Sequence, residues 1–180
     1  QWVHGARPRT LPAAVAPVLV GTSAAVLDGR WHLGLALLAL AVALALQVGV
    51  NYANDYSDGI RGTDEVRHGP VRLVGQGLAA PGAVKRAAAA AFGVAAVVGA
   101  ALALAVGPEL FVVGALAIAA GWFYTGGPRP YGYAGFGEAF VFVFFGLVAT
   151  VGSCFVQTES VTSLAVGCGV AMGCLSTALL

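Results

Sequence analysis

The stretch that decides the fold is LGLALLALAVALALQVGV (Leu33–Val50), which continues directly into NYANDYSDGIRGTD (Asn51–Asp64). The first part has 18 residues, nearly all apolar, and an α-helix needs roughly 20 to cross a bilayer. The second part places three carboxylates, Asp55, Asp58 and Asp64, at the end of that segment. Ionisable side chains are costly beside a membrane, so their grouping here indicates a functional site.

The composition of the whole chain is that of a membrane protein. Of 180 residues, 59% are hydrophobic and 9% are charged, and the mean hydropathy is +0.87. Soluble domains carry about 25% charged residues. A net charge of +1 gives no support to nucleic-acid binding. The three cysteines lie in apolar segments without a CxxC or His pairing, so neither a disulfide framework nor a zinc site is supported.

Apolar segments of about the length of a membrane span recur along the chain. There are six of them, at residues 11–27, 33–50, 87–106, 110–124, 139–156 and 161–180. They lack the period-two alternation of transmembrane strands, and their many Gly and Ala residues let helices approach closely. We therefore predict an all-α fold, a multi-span transmembrane helical bundle.

The basic residues predict the orientation of this bundle. If the N-terminus is cytoplasmic, eight of the nine Lys and Arg residues lie on that side and only Arg30 lies outside. This is the positive-inside pattern of membrane proteins. The long connections, residues 51–86 and 125–138, then both face the cytoplasm. Because such loops commonly carry function, we expect a cell-membrane protein with its N-terminus and active-site loops in the cytoplasm.

The first polar loop contains the ligands of a hard divalent cation. Asn51 and Asp55 are four residues apart, as are Asn54 and Asp58, so a helical continuation of the second span places these side chains close together. Carboxylate and amide oxygens suit Mg²⁺ or Ca²⁺. Asp64 follows two glycines that allow its carboxylate to turn back. We predict Asn54, Asp55, Asp58 and Asp64 as metal ligands and Asn51 as a substrate contact.

Basic side chains alternate with these acids. They are Arg61, Arg67, His68 and Arg72. Metal ions and cations together form a site for a polyanion such as diphosphate, and Arg72 is the residue that we expect to contact a phosphate. The alternative is a solvated loop whose charges pair with one another.

The second polar loop reads YTGGPRPYGYAGFGE (Tyr124–Glu138). Tyr124, Tyr131 and Tyr133 supply aromatic faces and hydroxyls, and Arg129 is its one cation. An aromatic ring or apolar chain could pack on the tyrosines while Arg129 holds an anionic group. The alternative is that the tyrosines belong to the aromatic belt at the membrane interface.

The motif Asn54-Asp55-x-x-Asp58, with a further Asp downstream, resembles the first aspartate-rich motif of the UbiA superfamily of intramembrane prenyltransferases. The longer pattern N-x-x-N-D-Y-x-D-x-x-x-G-x-D, followed by R-x-G-P-x-R-L, is similar to the branch that prenylates 1,4-dihydroxy-2-naphthoate in menaquinone synthesis. The Tyr124–Glu138 loop and the opening ARPRTLPAAVAPVLVG are similar to that branch as well. The resemblance covers nearly the whole chain.

This resemblance implies an Mg²⁺-dependent prenyltransferase. Two Mg²⁺ ions, bridged by the diphosphate of a polyprenyl donor, promote ionisation to an allylic cation, which the dihydroxynaphthoate ring attacks with loss of CO₂. The implied catalytic residues are Asp55, Asp58, Asp64 and Arg72. The implied substrate-binding residues are Asn51, Asn54, Arg61, Arg67, His68, Tyr124, Arg129 and Tyr131.

The family is expected to have about nine spans and a second aspartate-rich motif after the sixth. This chain stops at Leu180, within or at the end of its sixth span. We therefore expect residues 1–180 to be a single transmembrane prenyltransferase domain, truncated at the C-terminus and slightly at the N-terminus, with six of nine spans.

Two other functions remain open from the sequence. A different member of the superfamily would prenylate 4-hydroxybenzoate or a haem or chlorophyll precursor. A cation transporter would need charged or polar residues near the bilayer midplane, whereas the charges here lie at one membrane surface. The motif of CDP-alcohol phosphotransferases fails, because Ile60 and Arg61 follow Asp58-Gly59.

Overall fold

The computed structural model describes residues 1–63 and 71–180, and within these ranges it is helical with no β-strand. The elements are α1 (Trp2–Gly5), a 3₁₀ turn (Pro8–Thr10), α2 (Pro12–Leu27), α3 (Leu33–Arg61), α4 (Pro81–Ala105), α5 (Glu109–Phe123), α6 (Gly137–Val141), a π-helical segment (Phe142–Val148), α7 (Ala149–Thr158) and α8 (Ser163–Ala178). All six predicted apolar segments are helical. The all-α prediction is therefore confirmed.

The helices differ in whether they can cross a membrane. Within the described residues, Leu33–Arg61, Pro81–Ala105 and the continuous Gly137–Thr158 are long and apolar enough. A fourth span results if Trp2–Thr10 and α2, which meet at a 47° bend, count as one. Helices α5 and α8 are apolar but shorter, with 15 and 16 residues. The chain is an integral membrane protein with several spans.

Helix α3 is longer than a bilayer crossing. Its 29 residues correspond to about 43 Å at 1.5 Å per residue, whereas the hydrocarbon core is about 30 Å thick. The apolar part alone is about long enough to cross this core, so the polar turns of residues 51–61 would extend beyond it. The helix ends at Gly62, whose left-handed φ of 71° lets the next N–H, that of Thr63, bond to the Asp58 carbonyl at 3.2 Å.

The helices pack in two groups. Helices α3, α4 and α5 enclose a core of Tyr52, Ala53, Leu73, Val84, Ala88 and Phe92. Helices α2, α7 and α8 enclose a second core of Ala24, Ala25, Cys154 and Ala165. The groups meet where α3 contacts α2 and α7. Gly21 permits the close crossing of α2 and α7, because a Cβ atom there would overlap the Thr150 carbonyl oxygen.

Candidate active site

A cavity of about 760 Å³ lies between the two groups of helices, along one face of α3. Gln47, Asn51, Asn54 and Asp58 line it from that face, because helical side chains three or four residues apart project to the same side. Its remaining walls are mostly apolar and come from α2, α5 and the π-helical segment, including Val18, Val113, Gly114, Phe144 and Val148. The cavity thus joins a polar end to an apolar interior.

Asn54 and Asp58 form the polar end of the cavity. The Thr125 hydroxyl donates to the Asn54 amide oxygen at 2.8 Å, and the Tyr133 hydroxyl donates to one oxygen of Asp58. Arg72 Nη1 lies 3.6 Å from the other Asp58 oxygen. The second polar loop therefore orients both oxygen-bearing side chains of the first, and Arg72 adds a cation beside them. The two polar loops, which were predicted to lie on the same side of the membrane, are in contact here.

The donor atoms at this end suit a hard cation. Asn54 and Asp58 supply an amide oxygen and a carboxylate one helical turn apart. No group of three or more His, Cys, Asp and Glu side chains that could hold a metal occurs within residues 1–63 and 71–180. Magnesium commonly takes one or two carboxylates and completes its shell with water and substrate phosphates, so this pair fits an ion held jointly with a diphosphate.

Asp55 is engaged elsewhere. Its side chain is fully buried, and its two oxygens accept hydrogen bonds from the backbone N–H groups of Leu73 at 2.8 Å and Val74 at 3.0 Å. It is not among the residues that line the cavity. The contacts give Asp55 an anchoring role for the segment that carries Arg72. Its predicted part in metal binding and catalysis stays a prediction.

Arg61 connects the two polar loops. Its guanidinium donates to the carbonyls of Thr125 and, at 2.6 Å, Gly127, and it lies over the Tyr133 ring at 5.6 Å. The side chain is exposed and does not line the cavity. Its observed contacts hold the second loop against the end of α3.

Asn51 holds the N-terminal segment against α3. Its amide nitrogen donates to the Ala6 carbonyl at 2.8 Å and to Thr10 Oγ1 at 3.0 Å. These bonds fix the turn that brings Arg7 into the cavity lining. Arg7 has a left-handed φ of 51°, a conformation that costs free energy for a residue other than glycine. The strain at this cavity residue is maintained by its surroundings.

The tyrosines of the second loop form an aromatic wall. Tyr124 and Tyr131 meet edge to face at 5.5 Å, and Tyr131 stacks on Phe140 at 3.9 Å between ring centroids. The Tyr131 hydroxyl donates to the Ala120 carbonyl at 2.7 Å. Burial, followed by the proximity of Tyr124, raises the pKa of Tyr131. Burial and the hydrogen bond to Asp58 likewise raise the pKa of Tyr133, so both hydroxyls remain donors at neutral pH.

The other predicted site residues fall into two sets. Arg129 is exposed and lies outside the cavity lining, so its predicted contact with an anionic group stays a prediction. Asp64, Arg67 and His68 lie outside the described residues.

The family model described as the UbiA prenyltransferase family matches residues 14–180. The chain belongs to the UbiA prenyltransferase family. The cavity at the polar end of α3 is thus a candidate active site in a UbiA-family chain.

Several curated relatives of this UbiA-family chain have the same name, 1,4-dihydroxy-2-naphthoate octaprenyltransferase. The one from Mycobacterium tuberculosis is 57% identical over 180 residues, that from Mycobacterium leprae 55% over 180, and that from Escherichia coli 38% over 186. These matches cover 100%, 100% and 99% of this chain but 62%, 61% and 60% of the relatives. The chain therefore spans about three fifths of their length. No solved structure gives a significant match.

Thr125 and Thr10 contribute to this candidate site, although nothing in the sequence of this UbiA-family chain marks them. Thr125 follows Tyr124 in the second loop, and its hydroxyl orients Asn54. Thr10 lies 41 residues from Asn51 in the chain and contacts it only through the fold. A single threonine has no spacing pattern that marks such a role, so the sequence carries no signal for either.

Proposed function

We propose that the protein transfers a polyprenyl group from polyprenyl diphosphate to 1,4-dihydroxy-2-naphthoate, with decarboxylation, to give demethylmenaquinol, which a separate two-electron oxidation converts to demethylmenaquinone. The observation that carries this proposal is the cavity that joins the Asn54, Asp58 and Arg72 side chains to apolar walls. A polyprenyl diphosphate has the same division into an anionic head and an apolar tail. The family and the names of the relatives support the reaction and its acceptor.

The head of the donor would bind at the polar end of α3. Asn54 and Asp58 would hold Mg²⁺, which when bound neutralises charge on the diphosphate leaving group. We propose two such ions, for which Asp64 would supply a further ligand, as predicted from the sequence. Arg72 would pair with a phosphate oxygen, since its guanidinium already lies beside Asp58. Tyr133 and Thr125 would keep the two oxygen ligands in position.

The walls of the cavity would protect the reacting carbon. As the C–O bond to diphosphate breaks, its electron pair leaves with the phosphate oxygen and an allylic cation remains. The apolar walls exclude water that would capture this cation, and the faces of Tyr124 and Phe140 would stabilise it by cation–π attraction. The electron-rich acceptor ring then forms the new C–C bond and loses its carboxylate as CO₂.

The proposed location is the cell membrane, with the cavity's polar end on the cytoplasmic side. The two polar loops and the N-terminal segment meet at one end of the bundle through the contacts of Asp58, Arg61 and Asn51. Arg30 lies at the other end, where it donates to the Thr158 carbonyl. The positive-inside rule then favours a cytoplasmic site. We further propose that residues 1–180 belong to a single transmembrane prenyltransferase domain, which in the relatives is longer.

An acceptor assay tests the proposal. Membranes carrying the full protein are supplied with Mg²⁺, one polyprenyl diphosphate and, separately, 1,4-dihydroxy-2-naphthoate or 4-hydroxybenzoate. We expect prenylation and CO₂ release with the naphthoate only, and loss of both on chelation of Mg²⁺. Transfer to 4-hydroxybenzoate alone would assign the protein to a different acceptor. Transfer to neither acid would refute the proposed reaction.

A further inference from the structure

The amide oxygen of Gln47 is a buried hydrogen-bond acceptor without a partner in the described part of the chain. Gln47 is 6% exposed and lines the cavity from the membrane-spanning part of α3. Its amide nitrogen donates to Thr10 Oγ1 at 3.0 Å and lies 3.5 Å from Asn51 Oδ1. Its Oε1 atom has no hydrogen-bond partner among residues 1–63 and 71–180. A buried acceptor left unsatisfied is costly, so a hydrogen-bond donor from a ligand would remove this cost.

The hydrogen bonds around Gln47 determine which of its amide atoms faces Thr10. The Thr10 hydroxyl donates its one hydrogen to the Arg7 carbonyl at 2.9 Å, so its oxygen can only accept from other neighbours. It accepts from Asn51, whose nitrogen is itself fixed by the carbonyl of Ala6. Gln47 must therefore present its nitrogen to Thr10, because a flipped amide would bring two acceptors together. The oxygen of Gln47 is thereby held as the unused acceptor.

Gln157 shows how a glutamine in this protein is satisfied when its role is structural. Its nitrogen donates to the Thr22 hydroxyl and the Ser153 carbonyl, at 3.1 and 2.8 Å. Its oxygen accepts from the His32 N–H at 3.2 Å. Both atoms of this amide are thus used inside the protein, at the opposite end of α3 from the site. Gln47 differs because, among residues 1–63 and 71–180, only its nitrogen has a hydrogen-bond partner.

We propose that Gln47 Oε1 accepts a hydrogen bond from a ring hydroxyl of the aromatic acceptor and so selects a hydroxylated ring. This inference rests on the proposed function and identifies where the acceptor binds. Gln47 is seven residues before Asn54, about 10 Å along the helix axis, so an acceptor at Gln47 lies deeper than a diphosphate at Asn54. A carboxylate could not fill this position, because it has no hydrogen to donate.

The hydroxyl in question is the one remote from the acceptor's carboxylate. In 1,4-dihydroxy-2-naphthoate the 1-hydroxyl lies beside the carboxylate and forms an internal hydrogen bond with it. The 4-hydroxyl has no such neighbour and is free to donate to the protein. Arg7, which enters the cavity lining three residues before Thr10, supplies positive charge on the same side of the cavity as the Gln47–Thr10 bond.

The test compares two acids that differ in that hydroxyl. Equilibrium binding of 1,4-dihydroxy-2-naphthoate and 1-hydroxy-2-naphthoate is measured with the full protein in detergent, without polyprenyl diphosphate, so that no turnover occurs. We expect the wild type to bind the dihydroxy acid roughly tenfold more tightly, the value of one hydrogen bond. Gln47→Leu should bind both acids equally, because it keeps the size of the side chain and removes the acceptor. Gln157→Leu is the matched control and should keep the tenfold preference.

The outcomes separate this inference from the proposed function. If Gln47→Leu retains the preference, or if the wild type has none, Gln47 does not read the hydroxyl and the inference is refuted while the proposed reaction stands. Failure of the wild type to bind or prenylate either acid refutes the proposed acceptor instead. Gln47→Met provides a second variant of similar size if leucine prevents folding. An unchanged affinity for polyprenyl diphosphate would show that the polar end of the cavity is intact in the variant.

Discussion

The carboxylate of Asp55 accepts the backbone N–H of Leu73 at 2.8 Å, across 18 residues of chain, and both residues are completely buried. This bond, with a second one to the neighbouring Val74 at 3.0 Å, attaches this part of the first polar loop to the end of α3. Arg72 directly precedes Leu73, and its guanidinium lies beside the Asp58 carboxylate in the cavity. Asp55 therefore influences the site through the backbone that it holds.

Replacement of Asp55 by asparagine should reduce stability. The amide has only one oxygen to accept two N–H groups, and its nitrogen would face a donor. Loss of one hydrogen bond to a buried charged group costs about 1.5–3 kcal/mol, so we expect a clear fall in the melting temperature of the purified protein in detergent. An unchanged melting temperature would contradict the anchoring role.

Replacement of Asp58 by asparagine should act mainly on activity. The side chain keeps its shape, but the carboxylate that the proposed Mg²⁺ site requires is lost. We expect prenyl transfer to fall by at least about a hundredfold, as for removal of a group that stabilises charge in the transition state. The melting temperature should also fall, because the Tyr133 and Arg72 contacts of the carboxylate are weakened, while the protein remains folded at the assay temperature. Asp28→Asn, an exposed carboxylate at the opposite end of the bundle, is the control and should remain fully active. Retained turnover in Asp58→Asn would refute its assignment as a metal ligand.

The tyrosines of the second loop should limit stability at alkaline pH. Burial raises the pKa of Tyr131 above its ordinary value of 10.0, whereas in the unfolded chain it loses its proton near pH 10. The stabilising contribution is thus complete below about pH 10 and is lost as the pH rises toward the folded-state pKa. Melting temperatures measured between pH 8 and pH 12 should fall over the upper half of that range. Tyr131→Phe should reduce the fall, and an identical fall in the variant would contradict the assignment.

The orientation of the bundle can be tested by labelling single cysteines. Arg129 and Asp28 are both exposed and lie in connections at opposite ends of the bundle. In intact cells, a membrane-impermeant maleimide should label Asp28→Cys and leave Arg129→Cys unlabelled until the membrane is opened. The native cysteines are first replaced by serine so that only the introduced thiol reacts. The reverse pattern would place the site outside the cytoplasm.

The sequence alone predicted that the apolar segments are helical and indicated where the candidate site lies. In a bilayer, long runs of Ala, Leu and Val satisfy their backbone hydrogen bonds by forming helices. Because α3 is longer than its apolar part, it continues into the polar turns of residues 51–61. The spacing of Asn54 and Asp58 placed them on one face, because a helix repeats every 3.6 residues. The two polar loops were also expected on one side, and the structure brings them together.

Only the tertiary structure distinguished the roles of residues that look alike in the sequence. Asp55 and Asp58 are both carboxylates of one motif, but Asp55 faces the backbone of Leu73 and Asp58 faces the cavity. Gln47 and Gln157 are both glutamines in apolar helices. Their contacts with Thr10 and His32 show that, within the described part of the chain, the oxygen of Gln157 has a partner and that of Gln47 has none. Helical spacing fixes the direction of a side chain on its own helix. The partner that it meets depends on segments far away in the chain, which packing alone brings into contact.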